Sequence, residues 1–391
     1  MVSRREALIK IGSAAGVAAL TSRAVSAQAA AQKADPPSVI SNPPRDFSRP
    51  VTYPDPDIIT HDPAFNAVRV GNTPIQRLWT GGMWCEGPAW NGQGQYLIWS
   101  DIPNNRQMRW IEDDGRVTVF RQPSGNSNGN TFDHQGRQLS CEHSGRRVVR
   151  YEHDGSVTVI ADAFEGKRLN SPNDIACHPD GSYWFTDPPY GGQLYEGMPD
   201  IAGGPSNQEG RLNAKVGQPA GSGTLKRELS CNVYRVDPSG RIDMVISEEA
   251  LGAIPNGITF APDYKRLYVV NRGLVSVLDV AGPAHQVSKP RQFADFTVDG
   301  ITCRTDGIRT DVFGNVWASS NAGSNVGYSG VTVWNPAGKL IGRIRLPEVC
   351  ANVAFGGPKR NRLFMAAGQS LYAVYTNTQG AAPGEVVGGR W

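Results

Sequence analysis

The chain has 391 residues, 39% of them apolar, with 45 glycines, 28 prolines and a formal net charge of +3. A charge so close to zero argues against a nucleic-acid-binding surface and against a polybasic membrane patch. The abundance of Gly and Pro, with few long helical patterns, favours many short strands and turns over helix bundles. We therefore expect the function to reside in a pocket for a small molecule.

The first 27 residues have the pattern of an export signal. Paired arginines, Arg4 and Arg5, precede a short apolar stretch over residues 11–20, and a Val-Ser-Ala cleavage sequence ends at Ala27. The stretch is shorter than the about 20 apolar residues that a stable membrane span needs. Paired arginines in this setting predict export to the bacterial periplasm by the twin-arginine route, with a Sec signal as the alternative.

Residues 28–65 are rich in Pro, Asp and Ala without a period, and we predict that they form a linker before one globular domain over residues 66–391. The six cysteines are scattered, mostly inside apolar runs, and show no paired spacing. Buried free thiols are therefore favoured, although an oxidising periplasm would permit disulfides.

From residue 86 onward one pattern recurs six times. A polar residue, usually followed by Gly, opens a short run, and a turn rich in Pro, Asp and Gly leads into a second β-rich run. The opening residues are Glu86, Asn128, Asn173, Asn256, Asp306 and Asn352. Their spacings are 42 to 50 residues, apart from one of 83. Six such copies predict an all-β chain folded as a six-bladed β-propeller.

The long spacing contains a Gly/Pro-rich insertion over residues 190–230, after the second strand of the third copy. A loop of this length in a compact domain is usually functional or disordered. Because the insertion leaves directly from Asp187, we expect it to form a lid over the pocket. Residues 66–80 are expected to supply the outermost strand that closes the last blade.

The first strand of each propeller blade lies nearest the axis, so the six opening residues should gather around one mouth of the central channel. Carboxylate and amide oxygens without nitrogen or sulfur ligands suit a hard cation. We predict a divalent metal site on the central axis, with Ca²⁺ favoured over Zn²⁺ or Mn²⁺, and the ligands Glu86, Asn173, Asn256 and Asp306. Asn and Asp at a strand start also favour turns, which is the alternative for any one of these positions. A channel of amides that bond one another would leave two buried carboxylates without a counter-charge.

The second strand of each blade runs back to the same mouth, so the residues at its end should form a second ring. We predict that this ring lines the pocket above the metal and contacts the substrate together with Asn128 and Asn173; its members are Asp101, His143, Asp187 and Asn271. For His143 and Asp187 the alternative is a purely structural role in capping a loop.

Several of these motifs, notably CEGPAW at residues 85–90 and LNSPNDIACHPDGSYWFTDPPYG at residues 169–191, resemble the gluconolactonase and senescence-marker-protein family, which includes luciferin-regenerating enzymes. The likeness runs over about residues 70–378 and looks closest to the bacterial gluconolactonase branch. It implies a six-bladed propeller with a divalent metal on the axis. Animal members carry an arginine where this chain has Ser171, so the substrate contacts must differ, and Arg168 or the insertion is the candidate replacement.

The same resemblance places the family's metal-binding Glu, Asn and Asp at Glu86, Asn256 and Asp306, and an Asn that binds metal or substrate at Asn173. The predicted function is a metal-dependent lactonase that opens a sugar-derived lactone such as gluconolactone. The ion would polarise the carbonyl, and either Asp306 or a water on the ion would activate the nucleophile. The alternatives are a phosphotriester hydrolase that uses the same site and a non-catalytic binding propeller.

Overall fold

Short strands joined by tight turns make up most of the computed structural model, which describes residues 53–193, 227–282 and 285–381. The turns follow from one local sequence, an Asp or Asn with a Gly three residues later. In Asp237–Gly240, the Asp237 Oδ1 accepts hydrogen bonds from the N–H groups of Ser239 at 2.9 Å and Arg241 at 3.1 Å. Gly240 adopts a φ of +88°, where a side chain would be strained. The chain therefore reverses direction at short intervals, as a sheet of short antiparallel strands requires.

The strands form six antiparallel sheets, here called blades 1 to 6, and each blade is given from its innermost strand outward. Blade 1 consists of β3 (Cys85–Asn91), β4 (Tyr96–Asp101), β5 (Arg106–Ile111) and β6 (Val117–Arg121). Blade 2 consists of β7 (Ser127–Phe132), β8 (Gln138–Glu142), β9 (Arg147–Tyr151) and β10 (Val157–Ala161). Blade 3 consists of β13 (Ile175–Cys177), β14 (Tyr183–Thr186), β15 (Val233–Val236) and β16 (Ile242–Ile246).

Blade 4 consists of β17 (Pro255–Phe260), β18 (Arg266–Asn271), β19 (Leu274–Ala281) and the short β20 (Gln286–Val287) and β21 (Arg291–Gln292). Blade 5 consists of β24 (Ile308–Thr310), β25 (Val316–Ser320), β26 (Gly330–Trp334) and β27 (Leu340–Arg345). Blade 6 consists of β28 (Cys350–Gly356), β29 (Arg362–Ala367), β30 (Ser370–Tyr375) and β2 (Gln76–Thr80). Two small hairpins stand apart from the blades and pair β11 (Ala163–Phe164) with β12 (Lys167–Arg168) and β22 (Thr297–Val298) with β23 (Ile301–Thr302). The helical segments are a 3-10 helix (Pro63–Ala67), α1 (Tyr190–Gln193) and α2 (Glu248–Leu251).

The innermost strands contact one another in a closed ring. Strand β3 touches β7, and the contacts continue through β13, β17, β24 and β28 back to β3. The predicted six-bladed β-propeller is therefore confirmed. Closure of blade 6 also follows the expectation, since β2 pairs with β30 in the register Gln76↔Ala373.

The last residues of the predicted linker over residues 28–65 belong to the propeller. Within the stretch predicted to be a linker, strand β1 (Ile58–Thr60) pairs with β27 and gives blade 5 a fifth strand. Phe65 in the following 3-10 helix is buried against Trp317, with ring centroids 6.2 Å apart. Burial of apolar surface therefore holds these residues on the propeller. The predicted export signal and the linker residues up to 52 lie outside the described part of the chain.

Apolar side chains fill five of the six interfaces between neighbouring blades within the described residues. Between blades 3 and 4, for example, Trp184 packs edge-to-face on Phe260 with ring centroids 5.2 Å apart. All six cysteines are buried and free, which agrees with the favoured interpretation from the sequence. None of the helices among the described residues is long and apolar enough to span a membrane.

Blades 1 and 2 meet instead through a buried polar network. The Gln107 Nε2 lies 3.0 Å from the Asn130 Oδ1 and 3.1 Å from the Ser140 Oγ. The Asn130 Nδ2 donates to the carbonyl oxygens of Gly87 at 2.9 Å and Asn128 at 3.0 Å. A satisfied buried network of this kind favours one packing arrangement over others. It thereby fixes the two innermost strands that carry Glu86 and Asn128.

Candidate active site

Glycines allow the innermost strands to approach one another closely enough for the opening residues to converge. The Gly129 N–H donates to the Asn173 carbonyl at 2.7 Å, and the Gly257 N–H donates to the Asp306 carbonyl at 3.1 Å. A Cβ atom would lie 2.3 Å from the Asn173 oxygen at the first glycine and 2.2 Å from the Asp306 oxygen at the second. Only glycine fits such contacts. The repeated polar-Gly pair is therefore a packing requirement that brings polar side chains from different blades together.

Three of the predicted metal ligands meet at the axis and are here called the axial centre: Glu86, Asn256 and Asp306. The Glu86 side chain is buried, and its Oε2 accepts hydrogen bonds from the Gly87 N–H at 2.7 Å and the Asn352 Nδ2 at 3.0 Å. The Asp306 carboxylate accepts a hydrogen bond from Asn256 and lies close enough to Glu86 to act on its charge. Side chains from blades 1, 4 and 5 therefore share one small space.

The two carboxyl groups of the axial centre oppose each other's ionisation. Burial, and next the charge of Asp306, hold the pKa of Glu86 well above its usual range. Burial raises the pKa of Asp306 to about 7, the charge of Asp174 adds to the effect, and the hydrogen bond from Asn256 counteracts it. Two desolvated acids with too little counter-charge form an environment that a divalent cation would stabilise.

Free acceptor atoms at the axial centre fit the same ion. Among the described residues, the buried Oδ1 atoms of Asn256 and Asn128 have no hydrogen-bond partner. A buried carbonyl oxygen without a partner is costly unless something binds it. The oxygen-only set of donors matches the preference of Ca²⁺. Asn173, the fourth predicted ligand, is buried, and its backbone carbonyl accepts a hydrogen bond from the N–H of Gly129, the neighbour of Asn128. Its role as a ligand stays a prediction.

The Asn-Asp pair at residues 173 and 174 divides into two different environments. The Asp174 carboxylate is paired with Arg309, with Nη1–Oδ2 at 3.0 Å and Nη2–Oδ1 at 3.3 Å. It also accepts hydrogen bonds from the N–H groups of Ile175 at 2.9 Å and Ile258 at 3.3 Å. Asp174 thus links blades 3, 4 and 5, and its carboxylate is paired with a cation from blade 5. Sequence reasoning missed Arg309, although an arginine inside an innermost strand must find a partner.

Arg309→Met is expected to lower the free energy of unfolding by about 3–5 kcal/mol, because it leaves the Asp174 carboxylate buried and unpaired. The double variant Asp174→Asn/Arg309→Met should recover much of this loss, since neither charge then remains. Urea denaturation of the wild type, Asp174→Asn, Arg309→Met and the double variant measures the coupling. Equal stability of Arg309→Met and the wild type would contradict the pairing.

The strand registers place the predicted second ring at the same end of the blades as the axial centre, with Cys85 opposite Asp101 and Pro255 opposite Asn271. His143 comes closest to the predicted arrangement. Its Nε2 lies 3.4 Å from the Asn128 Nδ2, and burial lowers the pKa of His143 to about 4. The imidazole is therefore neutral at pH 7, and its buried Nδ1 has no partner among the described residues.

The other three members of the second ring differ in how many of their polar atoms already have hydrogen-bond partners in the protein. Asp187 has a buried Oδ1 without a partner in the described part of the chain, and burial raises its pKa to about 7. The Asp101 carboxylate instead accepts hydrogen bonds from the Met83 N–H at 3.0 Å and the Arg106 Nε at 2.9 Å. The Asn271 Nδ2 donates to the Leu251 carbonyl and the Ser276 Oγ, both at 3.1 Å. Asp101 and Asn271 thus have structural tasks, and a contact of either with substrate stays a prediction.

The start of the insertion packs directly on this ring. The Ser171 Oγ donates to the Pro188 carbonyl at 2.7 Å and accepts from the Gly191 N–H at 2.9 Å. A Cβ on Gly191 would lie 2.4 Å from the His143 Cβ, so the first turn of α1 lies against that imidazole. Residues 194–226 are outside the described part of the chain, and the lid stays a prediction.

Tyr190 is a further residue near the axial centre that sequence reasoning missed. Burial, and next the charge of Asp306, raise the pKa of the Tyr190 phenol. The tyrosine follows Pro188 and Pro189, which end the backbone pairing of blade 3 and direct the chain toward the channel mouth. An aromatic residue directly after such a Pro-Pro pair was the only available signal.

Comparisons with known proteins identify the family of the chain. A family model described as the SMP-30/Gluconolactonase/LRE-like region matches residues 84–369. Gluconolactonase of Zymomonas mobilis is 28% identical over 347 residues, which cover 83% of this chain and 87% of that enzyme. Pentonolactonase XacC of Haloferax volcanii is 25% identical over 289 residues, covering 72% of this chain and 80% of that enzyme.

Among solved structures, the gluconolactonase XC5397 of Xanthomonas campestris matches with a TM-score of 0.67 and 30% sequence identity, covering 82% of this chain and 94% of that one. The family match spans all six innermost strands and the three residues of the axial centre. The chain therefore belongs to the SMP-30/gluconolactonase/LRE-like family.

Proposed function

We propose that this protein is a cation-dependent lactonase that hydrolyses the lactone of a sugar acid, with an aldonolactone such as gluconolactone favoured. As a member of its family with lactonase relatives, it is a hydrolase of carboxylic ester bonds. The observation that carries the proposal is the axial centre, where the pKa values of the Glu86 and Asp306 carboxyls are raised and the neighbouring Asn256 amide has a buried oxygen without a partner among the described residues. A purely structural channel has no need for this arrangement.

The cation would be held by Glu86, Asn256 and Asp306, with Asn173 as the fourth ligand. Ca²⁺ is the favoured ion because every donor is an oxygen, and Zn²⁺ and Mn²⁺ are the alternatives. Once bound, the ion supplies Lewis-acid polarisation of the lactone carbonyl and neutralises the developing oxyanion.

The chain's own residues would carry the proton transfers and the orientation of the substrate. The oxygen of the attacking water bonds to the carbonyl carbon while the Asp306 carboxylate takes the water's proton. Collapse of the tetrahedral adduct breaks the ring C–O bond, and the departing oxygen receives that proton. Asn128 and the neutral His143 would orient sugar hydroxyls, which is supported by the buried Asn128 Oδ1 and His143 Nδ1, since neither atom has a hydrogen-bond partner among the described residues.

A lactone panel tests the proposal. Acid release would be followed for gluconolactone, a pentonolactone and a hydroxyl-free lactone, with a phosphotriester as the competing substrate class. Each would be assayed after chelation and after Ca²⁺, Zn²⁺ or Mn²⁺ is restored. We expect hydrolysis to depend on the added ion and kcat/KM to be highest for the sugar lactones. Faster turnover of the phosphotriester, or no hydrolysis of any lactone with any ion, would overturn the proposal.

Tyr190→Phe is expected to lower kcat/KM for the preferred lactone by about fivefold, because the loss of one hydrogen bond from this hydroxyl to the substrate costs on the order of 1 kcal/mol. Thermal denaturation should be unchanged. Tyr375→Phe is the matched control, since this tyrosine is exposed on β30 and lies away from the channel mouth. Equal kcat/KM for Tyr190→Phe and the control would remove Tyr190 from the site.

A further inference from the structure

Two histidines and an aspartate converge at the opposite end of blade 3 from the axial centre. His178 and Asp180 lie in the turn between β13 and β14, and His285 lies in the loop between β19 and β20 of blade 4. The His178 Nδ1 is 2.9 Å from the Asp180 Oδ1, and the His285 Nε2 is 3.1 Å from the Asp180 Oδ2. The two imidazole nitrogens themselves lie only 3.3 Å apart. We call these three residues the distal triad.

We propose that the distal triad is a second metal site, separate from the axial centre, which binds a transition-metal ion such as Zn²⁺ and ties blade 3 to blade 4. Imidazole nitrogen and carboxylate oxygen are ligands that Zn²⁺ accepts readily. One ligand atom from each residue lies within 4.8 Å of the others. The fourth position of a tetrahedral ion would be left to water.

The spacing of the donors suits a tetrahedral ion. With Zn–N and Zn–O bonds of about 2.0–2.2 Å, ligand atoms of a regular tetrahedron lie about 3.3–3.5 Å apart. The two imidazole nitrogens are already 3.3 Å apart. Each lies beside a different oxygen of Asp180, the His178 Nδ1 at 2.9 Å from Oδ1 and the His285 Nε2 at 3.1 Å from Oδ2, so an ion would be reached after a small adjustment of the carboxylate. The two rings are inclined by 74° with centroids 4.4 Å apart, so they are not stacked and their nitrogens approach each other edge on.

Surrounding groups hold the aspartate ligand in place. The Asp180 Oδ1 accepts hydrogen bonds from the Ser182 N–H at 2.8 Å and its Oγ at 2.6 Å. The Arg235 Nη2 lies 3.0 Å from the Asp180 Oδ2. Outer hydrogen bonds of this kind orient ligands in known metal sites. They leave the carboxylate little freedom to lose when an ion binds.

The histidines are held as well. The His178 ring packs edge-on against Phe260 and Tyr264, with both centroid distances 5.3 Å. His285 adopts a φ of +54°, a backbone conformation that is uncommon for a residue other than glycine. Such a conformation persists where surrounding contacts require it and is often found at functional sites.

The positive charge of Arg235 decides which class of ion fits. An ion held mainly by charge, such as Ca²⁺, would need six to eight oxygens and would be repelled by the guanidinium. An ion that bonds imidazole nitrogen is less sensitive to that charge.

Metal titration of the whole protein tests the proposal. Chelator-treated wild type and His285→Ala would be titrated calorimetrically with Zn²⁺, and in parallel with Co²⁺ for its visible absorption. The wild type is expected to bind one equivalent of Zn²⁺ more than His285→Ala, or to bind that equivalent at least about 100-fold more tightly. The Zn²⁺-dependent rise in Tm should be reduced in the variant. Lactone hydrolysis should be the same in both, so failure here leaves the axial centre untouched.

His153→Ala is the matched control, because this exposed histidine of blade 2 bonds only a backbone carbonyl, that of Gln135, among the described contacts. It should bind Zn²⁺ as the wild type does. His178→Ala is the second test of the triad. If the loss of the packed His178 ring unfolds the protein, the comparison of the wild type with His285→Ala is sufficient. Identical stoichiometry and affinity in the wild type and His285→Ala would overturn the proposal. The triad would then be a hydrogen-bonded cluster in which both imidazoles donate to Asp180.

Discussion

Asp306→Asn is expected to abolish lactone hydrolysis, with a fall in kcat/KM of at least about a thousandfold, while the propeller stays folded. A positioned general base contributes about 10²–10⁴-fold, and this carboxylate is also a proposed ligand of the ion. Because burial raises the pKa of Asp306 to about 7, a neutral amide relieves its repulsion with Glu86. The ion-free variant should therefore be as stable as the wild type or more so. Initial rates and thermal denaturation after chelation measure the two effects separately.

Asp279→Asn is the control for the removal of one carboxylate. Asp279 is exposed on β19 and pairs with Arg291 at 2.9 Å, away from the axis. It should keep wild-type activity and stability, since an exposed ion pair contributes about 1 kcal/mol or less. Substantial hydrolysis by folded Asp306→Asn would show that this carboxylate is neither the base nor an essential ligand.

The arrangement of the blades could be predicted from sequence because the same physical demand is repeated. Each innermost strand begins with a polar residue, and in four of the six copies a glycine follows to admit the neighbouring strand. That periodicity is visible without any knowledge of distant contacts. It predicts both the number of blades and the gathering of Glu86, Asn256 and Asp306, since strand order in a propeller fixes which ends meet.

Contacts that occur only once in the chain could not be predicted in this way. Arg309 meets Asp174 across 135 positions of sequence, and no repeat marks either residue as half of a pair. His285 lies outside the repeated turns, and its approach to His178 depends on the path of one loop. Strand β1 was likewise hidden, because three residues after a Pro-rich stretch carry too little pattern to indicate pairing.

The second ring shows a related limit. Sequence position predicts that Asp101, His143 and Asp187 lie at the same mouth, but it does not reveal which polar atoms the protein itself uses. The Asp101 carboxylate is paired with Arg106 and accepts a backbone hydrogen bond from the loop before Cys85. Asp187 instead retains a carboxylate oxygen without a partner among the described residues. The difference arises from local backbone geometry, which residue type alone does not encode.

Removal of divalent ions is expected to lower lactone hydrolysis by more than about 100-fold and to lower Tm, with both effects larger at pH 8 than at pH 5. Binding of an ion to the folded state alone stabilises it by about 3–4 kcal/mol at 100 to 1,000 times Kd. Without the ion, the pKa of Asp306 is about 7 in the folded chain against about 3.9 when unfolded. Its contribution to stability is then complete below about pH 4 and is lost as the pH rises through 7. At pH 8 the ion-free protein thus contains opposing buried charges that are mostly protonated at pH 5.

Thermal denaturation across this pH range, with chelator and with Ca²⁺, measures the effect. Asp306→Asn is the informative comparison, because it lacks the carboxyl whose ionisation is being tested. Its Tm after chelation should depend less on pH than that of the wild type, and added Ca²⁺ should raise it less. A wild-type Tm that does not respond to chelator at pH 8 would mean that Glu86 and Asp306 tolerate each other without an ion. The carboxylates at the axis would then be explained by shared protons rather than by a bound cation.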